Sequence, residues 1–440
     1  MLPDLMQRFG VPGVAVGVLA DGVEDISTYG VTCIDNPLPV QPTTLFQIGS
    51  ITKTITATAM MRLVEQGRLD LEAPIRRYLP DFRLASESVA EQAKLRHLVT
   101  HTGGWVGDDF SDTGSGDDAL ARYVAGLAEL PQLTPLGALF SYCNSGFAVA
   151  GRIVEVVCGQ RYEDAARELV LQPLGMEHSY FEPTWIMTHR FVVGHHSPFT
   201  PDEAMRIARP WALTRAANPM GGLTSCVPDL LRYARFQLGL GPSGFLSDEL
   251  RVQMHSPLAP AGSFADSVAV AWMLRDVADT RIVEHSGGTH GQSSTFKVVP
   301  SRGFGLVILT NASRGDELCR VLSADLLEQH LGLTSPVPAP VAVPAAKLAE
   351  YAGRYEAWLA DTEVSVDGSG LKVQVHRKEG FPFKGVPRAP DPPAVRFSFW
   401  SDDRIIGLDD PMRDARAEFV RNDAGQIGWL RIGARLAARK

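Results

Sequence analysis

Three short stretches carry side chains that together could open an amide or ester bond. The first is Ser50-Ile51-Thr52-Lys53. Residues three apart on a helix share a face, so the Lys53 amine can sit beside the Ser50 hydroxyl. A serine hydroxyl attacks a carbonyl only after a base takes its proton, and a lysine is such a base once burial or nearby positive charge lowers its pKa. A first-turn position for Ser50 would add a field that favours developing negative charge. The same spacing recurs at Ser294-Thr295-Phe296-Lys297. That stretch reads as a strand, where i and i+3 point to opposite faces and cannot make the contact. The second stretch is Ser141-Tyr142-Cys143-Asn144-Ser145-Gly146. A Tyr142 phenol near an ammonium can share proton transfer, and the Asn144 amide can both donate to and accept from a substrate amide. The third is His285-Ser286-Gly287-Gly288. Two glycines between strands let backbone N–H groups approach a developing oxyanion. Taken singly, each also has an ordinary structural reading: an N-cap serine, a core tyrosine with a turn asparagine, and a glycine-rich turn.

The elements that must position these residues can be traced along the chain. Val14, Val16 and Val18 alternate before an Asp21-Gly22 turn, which predicts a hairpin. After Ser50, the residues Ile51, Ile55, Ala59, Leu63 and Val64 recur at helical spacing, with Gly67 as a C-cap. Residues 80–215 carry helical stretches at 117–130 and 146–157 between Pro/Gly loops. Strands are predicted at 268–274, 281–284, 293–299 and 304–309, too closely spaced for helical crossovers and therefore antiparallel. A helix at 316–331 closes this unit. Residues 334–346 (TSPVPAPVAVPAA) contain four prolines and no charge, which favours an extended linker. Beyond it, alternation around an Asp-Gly-Ser-Gly turn and further strands near 395–399, 417–420 and 429–432 predict a small β-barrel or sandwich.

Bulk properties narrow the function classes. With 440 residues, two or three structural units are expected. A formal net charge of -8 argues against a nucleic-acid or anionic-membrane partner. No run approaches the ~18 apolar residues of a membrane helix, and the N-terminus is a poor signal peptide, so the cytoplasm is the expected compartment. The five cysteines, Cys33, Cys143, Cys158, Cys226 and Cys319, read as buried thiols rather than a disulfide framework or zinc site. His101 and His195-His196 lack metal-ligand spacing and read as structural. Gly239–Gly244 has dinucleotide-fingerprint spacing but follows a helix, and no Gly-x-Ser-x-Gly elbow is present.

In order and rough spacing, the three motifs resemble those of the penicillin-recognising serine enzymes. That group includes class C β-lactamases, DD-peptidases, D-aminopeptidases and related esterases. Arg96–Gly104 (RHLVTHTGG), Pro173-Leu174-Gly175-Met176 and Gly221–Ser225 resemble it too, and the likeness spans about residues 5–332. It implies that Ser50 is acylated, that Lys53 and Tyr142 shuttle its proton, and that Asn144 holds the substrate amide or acyl group. The backbone N–H groups of Ser50 and Gly288 would form the oxyanion hole, with His285, Ser286 and Gly287 completing the site. Whether Lys53 or Tyr142 is the base stays open. The β-lactamase form has lysine where this chain has His285, a residue near neutral at physiological pH. That lowers the expectation of efficient β-lactam hydrolysis.

The tail, from Tyr351-Ala352-Gly353-Arg354-Tyr355 to Gly428-Trp429-Leu430-Arg431-Ile432, resembles the lipocalin-like barrel appended to some D-amino-acid-specific peptidases. Such a barrel is expected to shape or cover the active site or mediate assembly; the other reading is an independent ligand-binding barrel.

The expected fold class is α/β: a β-lactamase/transpeptidase-like antiparallel sheet flanked by helices with an all-helical insertion, plus a small C-terminal β-barrel. The expected units are a hydrolase domain at 1–333, a linker at 334–346 and a lipocalin-like barrel at 347–440. The expected function is acyl transfer to water on an amide or ester bond, with a D-stereospecific peptidase or amidase ranked first. A carboxylesterase or β-lactamase-like hydrolase is the alternative, and a non-catalytic, penicillin-binding-type protein is the reading from another class. No metal or organic cofactor is implied. The expected partner is a small molecule or short peptide, with self-association left open.

Overall fold

The computed structural model describes residues 1–200 and 202–440. Its centre is an antiparallel sheet. Strands β1 (Gly13–Ala20) and β2 (Val23–Gly30) form the predicted hairpin. The others are β3 (Met273–Val277), β4 (Thr280–Thr289), β5 (Gln292–Val299) and β6 (Phe304–Thr310). The order is β2-β1-β6-β5-β4-β3, followed by two two-residue strands at the edge. Both ends of the unit therefore meet in one sheet, because β1 pairs with β6.

The sheet buries both faces, which explains why β1 and β6 are almost wholly apolar. Val14, Val16 and Val18 join Phe304, Leu306 and Ile308 under helix Gly315–Leu331. Ala15 and Leu19, with Val307 and Leu309, face the opposite layer. That layer contains α1 (Thr52–Glu65), α2 (Asn144–Cys158) and α3 (Val227–Gln237). Gly17 is small for a packing reason: a Cβ there would overlap the Val227 side chain of α3.

Three predicted boundaries shift. The strand expected at 268–274 is broken: Ala269–Trp272 leave the sheet, with Ala271 at φ 64°, before β3 begins. The strand expected at 281–284 instead runs to Thr289, so His285-Ser286-Gly287-Gly288 lies inside β4 rather than in a turn. The glycines there read as turn residues, but their use is close backbone approach, described below. The helix expected at 117–130 is shorter, Ala119–Gly126 with one 3₁₀ turn after it. Among the cysteines, Cys143, Cys226 and Cys319 are buried, whereas Cys33 and Cys158 are partly exposed; none is paired.

Between Gly332 and Pro344 no helix or strand forms, and Val341 donates its N–H to the Phe399 carbonyl at 2.7 Å. Eight antiparallel strands from Gly353 to Arg439 then close into a barrel. Its interior is filled by Tyr351, Tyr355, Phe397, Phe399, Phe419 and Leu430. A side-chain-filled barrel of eight strands is a packed core, which favours a structural role over an internal ligand site. Among the described residues no helix is long and apolar enough to cross a membrane.

Candidate active site

Ser50 lies in a single 3₁₀ turn, Gly49–Ile51, that leads directly into α1. Gly49 holds a φ of 52°, a left-handed backbone that glycine adopts without strain. A Cβ on Gly49 would lie 2.7 Å from the Gly288 nitrogen, so this turn is pressed against β4. Gly287 is constrained in the same way, since a Cβ there would collide with the Ile48 carbonyl oxygen. Gly288 has open space beside it and faces the cleft. The two glycines thus bring the edge of β4 alongside the Ser50 turn.

Lys53 stands one turn after Ser50 and is fully buried. Its Nζ donates to Ser50 Oγ at 3.0 Å and to the Met220 carbonyl at 2.5 Å. Burial, followed by the positive charge of Arg435, holds its pKa well below that of an ordinary lysine, with Asp108 pulling the other way. Tyr142 enters from the loop before α2, and the Lys53 Nζ lies 4.9 Å from its ring centroid. Burial raises the pKa of the phenol, opposed by its hydrogen bond with Ser50 and by the charge of Arg435. Burial thus favours the uncharged form of both groups, the neutral amine of Lys53 and the protonated phenol of Tyr142.

Asn144 is the first residue of α2, and its Nδ2 donates to Asp108 Oδ1 at 2.6 Å. The amide carbonyl oxygen remains for a substrate N–H. Asp108 also accepts from Arg435, at 2.5 Å from Nε and 3.2 Å from the second guanidinium nitrogen. Arg435 comes from the last barrel hairpin, and its guanidinium lies 4.9 Å over the Tyr142 ring. The hairpin is docked by the Tyr142 backbone N–H, which donates to the Ala434 carbonyl at 2.9 Å, and by Arg431, which donates to the Phe140 carbonyl at 2.9 Å.

His285 is placed differently from the expectation. Its ring is buried, with Nδ1 2.7 Å from the Ser286 carbonyl, so Nδ1 carries the proton. Nε2 is then an acceptor, 3.4 Å from the Tyr142 hydroxyl. Burial and the neighbouring Lys53 push its pKa down to about 3. The ring is therefore neutral near pH 7, with its centroid 6.0 Å from that of Tyr142. Ser286 is exposed, its hydroxyl 3.2 Å from that of Thr295. Gly287 lies outside the cleft lining, because it is the point where β4 touches Ile48. At the other Ser-x-x-Lys match, Ser294 donates to the Ile48 carbonyl at 2.8 Å and Lys297 pairs with Glu284, on opposite sides of β5.

The cleft has a volume of about 370 Å³. Ser50, Asn144, Asp108, Gly288 and Arg435 supply its polar surface, while Phe110, Leu213 and Met220 face Leu359 and Phe381 of the barrel. Phe110 and Phe381 meet edge to face at 5.0 Å.

Three residues in or around this site were not assigned a role from spacing alone. Asp108 and Arg435 are 327 positions apart and carry no motif. His101 read as structural, and its contacts concentrate on the catalytic loop. Its carbonyl accepts from Ser141, its Nδ1 accepts the Cys143 backbone N–H at 3.0 Å, and its ring stacks 4.3 Å from Tyr142. It does so at a φ of 57°, strained for a residue with a Cβ. Among the described residues, no three His, Cys, Asp or Glu side chains are grouped as a metal ion would require.

A Beta-lactamase family model matches residues 1–329. Penicillin-binding protein 4 of Amycolatopsis lactamdurans is 35% identical over 357 residues, covering 79% of this chain and 93% of that protein. A crystal structure of SurE with D-Leu superposes with a TM-score of 0.76 at 25% identity, over 100% of this chain and 97% of that one. A class C β-lactamase from Rhodobacter sphaeroides superposes with a TM-score of 0.59 at 23% identity, covering 71% of this chain and 92% of its own.

Proposed function

Because the chain belongs to the Beta-lactamase family, whose membership supports a serine hydrolase, we propose that it is a D-stereospecific peptidase or amidase acting through an acyl-enzyme on Ser50. The observation that carries this reading is the 3.0 Å contact between a fully buried Lys53 amine and the Ser50 hydroxyl at the mouth of the cleft.

The neutral amine of Lys53 takes the Ser50 proton as Oγ attacks the substrate carbonyl carbon. The carbonyl π electrons move onto oxygen, where the Ser50 and Gly288 backbone N–H groups stabilise the negative charge. Tyr142, between Lys53 and the leaving group, passes a proton to the departing nitrogen as the C–N bond breaks. Lys53 returns a proton to the phenol, leaving an ester on Ser50 and a free amine. Water then attacks the ester, giving up its proton to the same base. Collapse of the second intermediate releases the acid and restores the Ser50 hydroxyl. Asn144 orients the acyl group through its free carbonyl oxygen.

The finer assignment rests on two observations. The neighbour crystallised with D-Leu aligns over the entire chain, barrel included. His285 is a neutral acceptor turned toward Tyr142, leaving β4 without the charged lysine of the β-lactamase motif. A panel of D and L aminoacyl p-nitroanilides, p-nitrophenyl esters and nitrocefin tests this. The reading expects D-anilides to have the highest kcat/KM and nitrocefin the lowest. Equal rates for D and L anilides with fast ester cleavage would instead make the protein a carboxylesterase.

A further inference from the structure

A second cavity of about 350 Å³ lies outside the catalytic cleft, between the insertion and the barrel. Arg206 and His196 reach it from the insertion, Ser313 from the loop after β6, and Arg377 from the end of barrel strand Gly370–Arg377. Phe199 and Pro390 supply apolar walls from opposite sides. Neither Arg206 nor Arg377 forms an ion pair with a carboxylate among the described residues. The nearby carboxylates are engaged elsewhere. Asp391 accepts from Arg388 at 2.6 Å and from the backbone N–H of Arg377 at 2.8 Å, and its other oxygen lies 3.3 Å from His376. Glu203 accepts the Phe199 backbone N–H at 2.8 Å. Asp391 and Asp316 act on the Arg377 guanidinium only through space.

The two guanidinium groups share a neighbour, since the charges of both depress the pKa of His196, after its burial and the adjacent His290. Arg377 is itself lowered by burial. A guanidinium drawn partly out of water without a direct ion pair, as Arg377 is, is costly, and an anion placed between it and the exposed Arg206 offsets that cost.

We propose that this cavity binds a small carboxylate with a compact apolar body, its anionic group bridging Arg206 and Arg377 and its body lying between Phe199 and Pro390. The site has a connection to the chemistry. The segment after Arg377 carries Phe381 into the catalytic cleft. On the other wall, His196 Nε2 lies 3.1 Å from Nε2 of His290, which begins the turn after Gly288 and Thr289. An occupant therefore fastens the Phe381 segment to the side of the molecule that carries the oxyanion strand.

Isothermal titration of the full chain with benzoate, and separately with inorganic phosphate, reads binding without any reliance on turnover. The expected result is saturable benzoate binding that weakens about tenfold or more in Arg206→Gln and in Arg377→Gln, each losing one charge-assisted contact. Phosphate, which lacks an apolar body, should bind more weakly than benzoate. No saturable benzoate binding, or benzoate affinity unchanged in both variants, would overturn the site. Phosphate binding as tightly as benzoate would overturn the ligand class. If Arg377→Gln does not fold, the exposed Arg206→Gln carries the comparison alone.

Discussion

Lys53 has been taken out of water and given two acceptors, Ser50 Oγ and the Met220 carbonyl, with no carboxylate among the described residues in direct contact. An amine so placed loses its proton more readily than a surface lysine, and this sets the pH behaviour. A base must be neutral to act, so kcat/KM should rise with pH through the lowered pKa of Lys53. Arg435 lowers that pKa and Asp108 raises it. Arg435→Gln should therefore move the rising limb to higher pH, and Asp108→Asn should move it to lower pH. Limbs that shift in the same direction in both variants would contradict the assignment. His101 makes a separate prediction. It fixes Tyr142 from both flanking peptides and from beneath the ring, so it is a positioning residue. His101→Phe keeps an aromatic ring but orphans the Cys143 N–H, a loss of about 1–3 kcal/mol in a buried site. It should lower kcat more than it raises KM, with partial rescue in His101→Asn, whose side-chain oxygen can accept. Thermal melts and steady-state kinetics check both parts. The Ser50–Lys53 pairing was legible because it lies within one helical turn. The direction of His285 was not, because residue type alone does not say which neighbour a buried ring will face.

Among the elements, β4 is the one whose character the sequence disguised. His285-Ser286-Gly287-Gly288 reads as a turn, because glycine pairs usually mark a change of direction. Here they continue the strand and remove side chains so that the Ile48–Ser50 backbone can lie against it. Gly287→Ala would force a methyl group into the Ile48 carbonyl. It should cost about 1–3 kcal/mol as overpacking does, and should reduce activity beyond its effect on folding because the Ser50 turn must shift. Gly126→Ala is the matched control: it ends helix Ala119–Gly126 at φ −65° with open space around its Cβ position. That substitution should be neutral or stabilising by up to about 1 kcal/mol. Denaturant melts compare the two, and equal stability would remove the packing argument. The hairpin of β1 and β2 and the strands near 293–309 were legible because their alternation is regular. The break at Ala269–Trp272 was not, since those four residues are as apolar as the strand they interrupt.

At the scale of the molecule, the catalytic cleft belongs to both units. The sheet and its helices supply Ser50 and Asn144 to its lining, with Lys53 and Tyr142 beside Ser50, while the barrel supplies Arg435, Leu359 and Phe381. The barrel's composition made its strands visible, yet its closure depends on pairing of its first and last strands and its reach into the cleft on contacts such as Arg435–Asp108, between residues with no local relation in sequence. Phe381→Ala should enlarge the apolar end of the cleft and raise KM for substrates with bulky acyl groups several-fold, as expected for a contact worth about 1–3 kcal/mol. It should leave kcat for small esters nearly unchanged; a uniform fall in kcat would place Phe381 in the chemistry instead. Beneath all of this lies the proposed acylation of a single hydroxyl. Intact-protein and peptide mass spectrometry after exposure to a fluorophosphonate measures it most directly. The account predicts one adduct, on Ser50, formed in step with loss of hydrolysis and absent from a folded Ser50→Ala variant. An adduct on another residue, or full hydrolysis by Ser50→Ala, would contradict it.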